Sequence, residues 1–95
     1  MFNISQDLDS NLITLSGNFD SSRSDDAKKI FQNLTDSVTI DMSDLDFICS
    51  AGIGILVMTY RQLKEKEKLM TLVNLKPHIR KVFEVSLLHK VFDIK

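Results

Sequence analysis

The sequence predicts one α/β domain over residues 1–95. It is a mixed β-sheet with helices packed against it in the order ββαβαβαβ, with an opening hairpin and then parallel crossovers. Two observations carry this. Short runs of alternating or continuous apolar residues are separated by stretches in which apolar residues recur at helical spacing. The connections are short, and no linker, repeat or low-complexity tract interrupts them.

The elements follow in order. Phe2 to Ser5 reads as a short strand, and Asn11 to Ser16 as a second, carrying Leu12, Ile13 and Leu15. Asp7-Leu8-Asp9-Ser10-Asn11 is turn-rich and makes the pair a hairpin, with Gly17-Asn18 ending the second strand. Ser22-Arg23-Ser24-Asp25 resembles a helix start, with a hydroxyl cap and a carboxylate three residues on. Ala27, Ile30, Phe31 and Leu34 then form one helical stripe. Val38, Ile40 and Met42 alternate with Thr39 and Asp41, as a strand does.

Gly52 to about Lys66 reads as the second helix, with Ile53, Leu56, Val57, Tyr60 and Leu63 on its inner face. Leu69 to Leu75 reads as a well-covered strand. Pro77 suits the first position of a third helix, whose stripe is Ile79, Val82, Phe83 and Leu87. Val91 to Ile94 closes the sheet as a short edge strand.

Composition narrows the function. Hydrophobic residues are 43% and charged residues 26%, the mix of an ordinary soluble globule. A net charge of −1 argues against a nucleic-acid surface, which carries a basic excess. The lone Cys49 precludes a disulfide within the chain and a cysteine-built zinc site. No basic n-region with an apolar h-region opens the sequence, and no apolar run approaches bilayer length. The expectation is therefore a cytoplasmic protein without membrane insertion.

The informative stretch runs from Ile40 to Gly54. A strand enters a short loop, and small residues with two glycines open a helix. Ser50 falls at or beside that helix N-terminus, where free N–H groups and the helix dipole favour negative charge. Ala51, Gly52 and Gly54 leave the backbone open to a partner. From spacing alone, however, Ser50 reads first as a helix N-cap. Ile55 and Met58 point away from the expected inner face. With Gly54 they form either an apolar docking patch or a contact under the third helix, and the sequence leaves both open.

Catalytic readings fare poorly. A tyrosine-phosphatase loop at Cys49 needs an Arg where Ile55 stands, and no G-x-S-x-G elbow surrounds Ser50. Cys49 reads as a buried small thiol. Gly52-x-Gly54 lacks the third glycine of a dinucleotide fingerprint. His78 and His89 read as surface helix residues without a matching ligand set. No enzyme activity, metal or cofactor is expected, since no general base is placed for Cys49 or Ser50.

The pattern Asp41, Ser43, Leu45, Phe47, Ile48, Ser50, Ala51, Gly52, Ile53, Gly54 and Leu56 resembles the signature of the STAS domain, specifically that of the bacterial anti-sigma-factor antagonists. Upstream, Leu15 to Asp20 is similar to that family's strand-end turn. Downstream, Pro77 to Glu84 is similar to its third helix. The resemblance implies phosphorylation of Ser50 by a histidine-kinase-like anti-sigma serine kinase and its reversal by a PP2C-type phosphatase. The unmodified form would bind the kinase and release its client. Phosphate would block binding by adding about −1.5 to −2 charge to the docking face.

It further implies a chain that is monomeric when free. Partner contacts would fall at Asp20, Ser22, Cys49, Ala51, Gly52, Ile53, Gly54, Ile55 and Met58. Three positions depart from the family. Cys49 stands where Asp or Ser is usual, leaving Asp20 to supply a nearby carboxylate. Lys66-Glu67-Lys68 and Leu87 stand where glycines are usual. The alternative within the family is a non-phosphorylated scaffold subunit, for example of a transport complex.

Overall fold

The computed structural model describes residues 2–7 and 9–95, with the backbone alone at 23. Leu8, within the expected turn, lies outside the described residues. The strands are β1 (Asn3–Asp7), β2 (Leu12–Phe19), β3 (Val38–Ile48), β4 (Met70–Val73) and β5 (Asp93–Ile94). The helices are α1 (Ser24–Gln32), α2 (Ser50–Glu65) and α3 (Pro77–Val85). Short 3-10 turns at Ser21–Arg23 and Leu88–Lys90 precede α1 and β5.

The five strands lie in sequence order, β1-β2-β3-β4-β5. β1 pairs antiparallel with β2, and every later pair is parallel. The expected ββαβαβαβ order is what forms. Alternation shows which face is covered. Ile13, Leu15, Ile40, Met42, Met70 and Leu72 are buried, while Leu12, Thr14, Thr39, Asp41, Thr71 and Val73 are only partly so. This is a sheet with one face under helices. β4, expected to be well covered, shares the alternation because no helix among the described residues packs over its second face.

Each helix presents a narrow apolar stripe to the sheet. Ala27 and Phe31 of α1 are buried, as are Ile79 and Phe83 of α3. Asp25 and Asp26 in the first turn of α1 and Lys29 in its last suit the helix dipole. The Gln62 amide of α2 donates to the Gln32 and Leu34 carbonyls, both at 3.1 Å, and so satisfies the open end of α1. The buried Thr59 hydroxyl donates to the Ile55 carbonyl at 2.7 Å.

Several boundaries move. The helix start read at Ser22 is a 3-10 turn whose cap is Asp20, with α1 beginning at Ser24. β2 does not end at Gly17-Asn18. It runs to Phe19, and Gly17 takes φ 81, a conformation open to glycine. β3 runs past Met42 to Ile48. Leu87 leaves the stripe of α3: the helix ends at Val85, and Leu87 adopts φ 60 with its side chain 60% exposed.

The extra length of β3 matters most. Its register against β2 shifts between Thr14 and Ser16 and again between Gly17 and Asn18. At each shift β3 carries one residue more than β2, so two bulges re-phase the strand. Met42, Leu45 and Ile48 become the buried positions, with Ser43, Asp44, Asp46 and Phe47 outside. β4 accompanies β3 only from Val38 to Asp41. Beyond Asp41, β3 and β2 continue as a two-stranded ribbon toward α2.

Candidate functional site

The ribbon ends at one place. Phe19 of β2 pairs with Ile48 of β3, and the Cys49 N–H donates to the Phe19 carbonyl at 2.9 Å. Asp20 and Ser50 therefore each follow directly from residues joined by that bond. Parallel strands of an α/β sheet place such sites at their carboxyl ends.

α2 starts at Ser50, two residues before the expected Gly52, with Cys49 as its N-cap in extended conformation. Ser50 is thus the first helical residue, not the cap, and its side chain is exposed. The Cys49 side chain makes no capping hydrogen bond, and the first turn holds no acidic residue. A helix start leaves its first N–H groups without helical acceptors. Its field is positive beside the Ser50 hydroxyl, and the helix's own first turn supplies no carboxylate to neutralise it. Cys49 is half-buried rather than fully enclosed, because it bridges the ribbon end and the helix.

The two glycines differ. A Cβ on Gly52 would lie 3.0 Å from Ile48 Cγ1 and 3.0 and 3.1 Å from two ring atoms of Phe19. Gly52 is therefore buried packing, which lets α2 settle onto Phe19, itself stacked on Phe2 with ring centroids 4.4 Å apart. A Cβ on Gly54 would meet nothing within 4 Å. Gly54 is exposed, and the fold has no use for a missing side chain there.

Ser50, Gly54, Met58, Arg61 and Glu65 are all exposed at helical spacing and form the outer face of α2. Met58 is 37% exposed. Ile55 is not part of that face. It is 6% exposed and sits in the core cluster, so of the two alternatives for Ile55 and Met58 the structure gives burial to the first and exposure to the second. The inner face of α2 is accordingly Gly52, Ile55, Leu56, Thr59 and Leu63, with Ile53, Val57 and Tyr60 at its flanks. The helix is rotated because Gly52, rather than Ile53, makes the closest approach to the sheet.

Asp20 and Ser22 lie in the loop after β2. The Asp20 Oδ1 accepts the Ser22 N–H at 3.1 Å and the Ser22 hydroxyl at 2.6 Å. Both side chains are engaged in holding this loop beside the start of α2.

The other border of the site was not evident from the sequence. Asp46, at the second bulge of β3, is held twice by the start of α3. The Lys76 ammonium bonds its carboxylate at 2.5 Å, and His78 Nε2 lies 2.6 Å from its carbonyl oxygen. A carbonyl only accepts, so His78 Nε2 carries the hydrogen. The Lys76 hydrogen bond and charge hold the Asp46 carboxyl below the usual carboxylate range, with a smaller opposing contribution from burial. The neighbouring Phe47 is 49% exposed. Lower on β3, burial pushes the Asp41 carboxyl up. It is outweighed by the Ser43 N–H, 2.9 Å away, the Ser43 hydroxyl and the Asn74 amide, and the net shift is downward.

A half-open cavity of about 410 Å³ lies elsewhere, among Ile13, Lys29, Ile30, Leu34 and Val38. Val38 opens β3 and Ser50 follows its other end, so a strand of roughly 30 Å separates them. Ser50 itself stands on an open rim. No group of side chains able to hold a metal ion occurs among the described residues. No helix among them is long and apolar enough to cross a membrane.

Over 57 residues the chain is 37% identical to BtrV of Bordetella bronchiseptica, a protein described as an anti-sigma factor antagonist. That match takes in 60% of this chain and 49% of BtrV, so about half of that relative's length is spanned. The fold is similar to SpoIIAA, an anti-sigma factor antagonist, in its unphosphorylated form, with TM-score 0.77 and 22% identity over 100% of this chain and 88% of that one. SpoIIAA of Bacillus in the phosphorylated form gives 0.71 at 22% identity, over 100% and 91%. At that identity the two structures establish the shared fold. Residues 2–93 match the family model described as "Mlab, STAS domain", nearly the whole described chain, and the protein belongs to the STAS domain family.

Proposed function

We propose that this chain is an anti-sigma-factor antagonist that works as a phosphorylation-controlled binding switch. The observation that carries the reading is the exposed Ser50 hydroxyl at the first position of α2, beside a helix end that its own cap leaves unsatisfied. The names of its relatives, BtrV and SpoIIAA, point the same way. The unmodified chain binds a histidine-kinase-like serine kinase through the rim around Ser50 and displaces that kinase's client. Asp20, Ser22, Cys49, Ala51, Ile53, Gly54 and Met58 border the contact, with Gly52 and Ile55 beneath it.

In the modifying step the Ser50 Oγ attacks the γ-phosphorus of ATP held by the kinase. The bond from that phosphorus to the ADP oxygen breaks, and the hydroxyl proton passes to a base of the kinase. The new phosphate sits where the helix start tolerates charge, so the fold survives while the docking face becomes anionic. A PP2C-type phosphatase returns the serine by hydrolysis. A scaffold role without phosphorylation leaves the exposed serine unused.

Intact-mass measurement after incubation with the kinase and ATP tests the site. The expected result is a gain of one phosphate that Ser50→Ala abolishes. No gain, or a gain persisting in Ser50→Ala, sinks the assignment. Ser50→Asp is expected to bind the kinase more weakly than wild type by calorimetry while keeping its melting temperature. Equal affinity overturns the switch.

A further inference from the structure

We propose that Phe47 is the apolar anchor by which the kinase acting on Ser50 recognises this chain, with Lys76 and His78 as the residues that position it. The proposal rests on the reading of Ser50 given above and adds a contact outside α2.

The exposure of Phe47 has a definite origin. In an unbroken strand, neighbours alternate between the two faces. At the second bulge Asp46 and Phe47 are both exposed, while Leu45 before them and Ile48 after them are buried. Bulges re-aim side chains in this way and concentrate next to functional sites. Phe47 belongs neither to the buried core nor to the partly buried residues packed on it, and it stacks on no other aromatic ring among the described residues.

The bulge is also held rigidly. Lys76 grips the Asp46 carboxylate and His78 the Asp46 carbonyl, so α3 fixes the residue directly before Phe47 from both its side chain and its backbone. A rigid exposed aromatic loses little freedom on binding, and such residues dominate interface energetics. The occupant follows from distance. Phe47 and Ser50 are three residues apart, so their Cα atoms are at most about 11 Å from each other. A kinase that brings ATP to the Ser50 hydroxyl must cover that much of the rim.

The test measures phosphorylation kinetics and, separately, calorimetric binding of the unmodified chain to the kinase, for wild type, Phe47→Ala, Phe47→Leu and the Lys76→Ala/His78→Ala pair. Phe47→Ala is expected to raise KM about tenfold or more and to weaken binding in parallel, with kcat within about twofold. Phe47→Leu, which keeps apolar bulk, is expected to recover much of the loss. The Lys76/His78 pair is expected to raise KM in the wild-type background but to add little to Phe47→Ala, because it acts through that ring.

Unchanged KM and affinity in Phe47→Ala overturn the anchor. Full additivity overturns the positioning role. Binding that weakens in Phe47→Ala, with no phosphate on wild-type Ser50, sinks the switch and leaves the anchor standing. A wild-type chain that neither binds nor accepts phosphate overturns both.

Discussion

Gly52 and Gly54 are separated by one residue and have opposite relations to the fold. At Gly52 a methyl group would press on Phe19 and Ile48. Gly52→Ala is expected to lower stability by about 1–3 kcal/mol, the usual cost of overpacking. At Gly54 a methyl group meets open space, and glycine in a helix interior costs about 1 kcal/mol relative to alanine. Gly54→Ala is expected to raise stability by about that amount in urea denaturation while weakening kinase binding. A cost carried at an exposed position fits the partner contact proposed at Gly54. Both glycines were visible in the sequence, but only the neighbours tell them apart. Ile55 shows the same limit. Its place relative to Ile53 suggested an outer position, yet the deep seat of Gly52 turns it inward.

Helix ends set the next scale. α2 closes with the Glu67 N–H bonded to the Lys64 carbonyl at 2.9 Å and the Lys68 N–H bonded to the Leu63 carbonyl at 2.8 Å. This is the Schellman pattern, whose left-handed position is normally glycine. Glu67 occupies it at φ 60, and Leu87 stands in the same conformation after α3. The left-handed region costs a non-glycine residue about 1–2 kcal/mol, partly offset by the greater unfolded-state freedom of glycine. Glu67→Gly and Leu87→Gly are each expected to stabilise the protein by about 0.5–1 kcal/mol, read as a shift in denaturation midpoint.

The loss of the family's glycines was legible in the sequence, and so were the existence and order of every helix and strand. What escaped was the length of β3. Apolar residues along it fall at Met42, Leu45 and Ile48, a spacing of three that no strand template contains. Two bulges produce that spacing, and nothing local in the sequence announces them. Asp46 and its hold by Lys76 and His78 escaped for the same reason, since the partners come from an element some thirty residues away.

Across the whole molecule, three carboxylates tie β3 and its approach to the later half of the chain. Asp36, in the loop before β3, faces Lys68 at 3.5 Å. Asp41 accepts from Asn74 at 3.3 Å, and Asp46 meets Lys76. All three titrate below the ordinary range. Asp36 does so through the Ser37 N–H and then the charge of Lys68, and Asp46 through Lys76. A carboxyl with a depressed folded-state pKa contributes stability above its unfolded value and loses it as pH falls through the folded one. Stability is therefore expected to hold from neutrality down to about pH 4 and to decline below it. Asp41→Asn is expected to flatten part of that decline, measured as melting temperature against pH. The carboxylates and their partners, two lysines and an asparagine, were plain in the sequence, but their pairing depends on the parallel register of β3 and β4.

The strand order β1-β2-β3-β4-β5 has one further consequence. Every strand lies beside the strand made just before it, so no strand waits for a later one to fill a gap between its neighbours. A chain leaving the ribosome can add each unit to a finished edge, and the ribbon that presents Phe47 and Ser50 is complete only after both of its strands have emerged. Its support from α3 comes later still. The order of synthesis therefore pairs β2 with β3 first, stiffens the rim around Ser50 once α3 follows, and closes the sheet with β5 last.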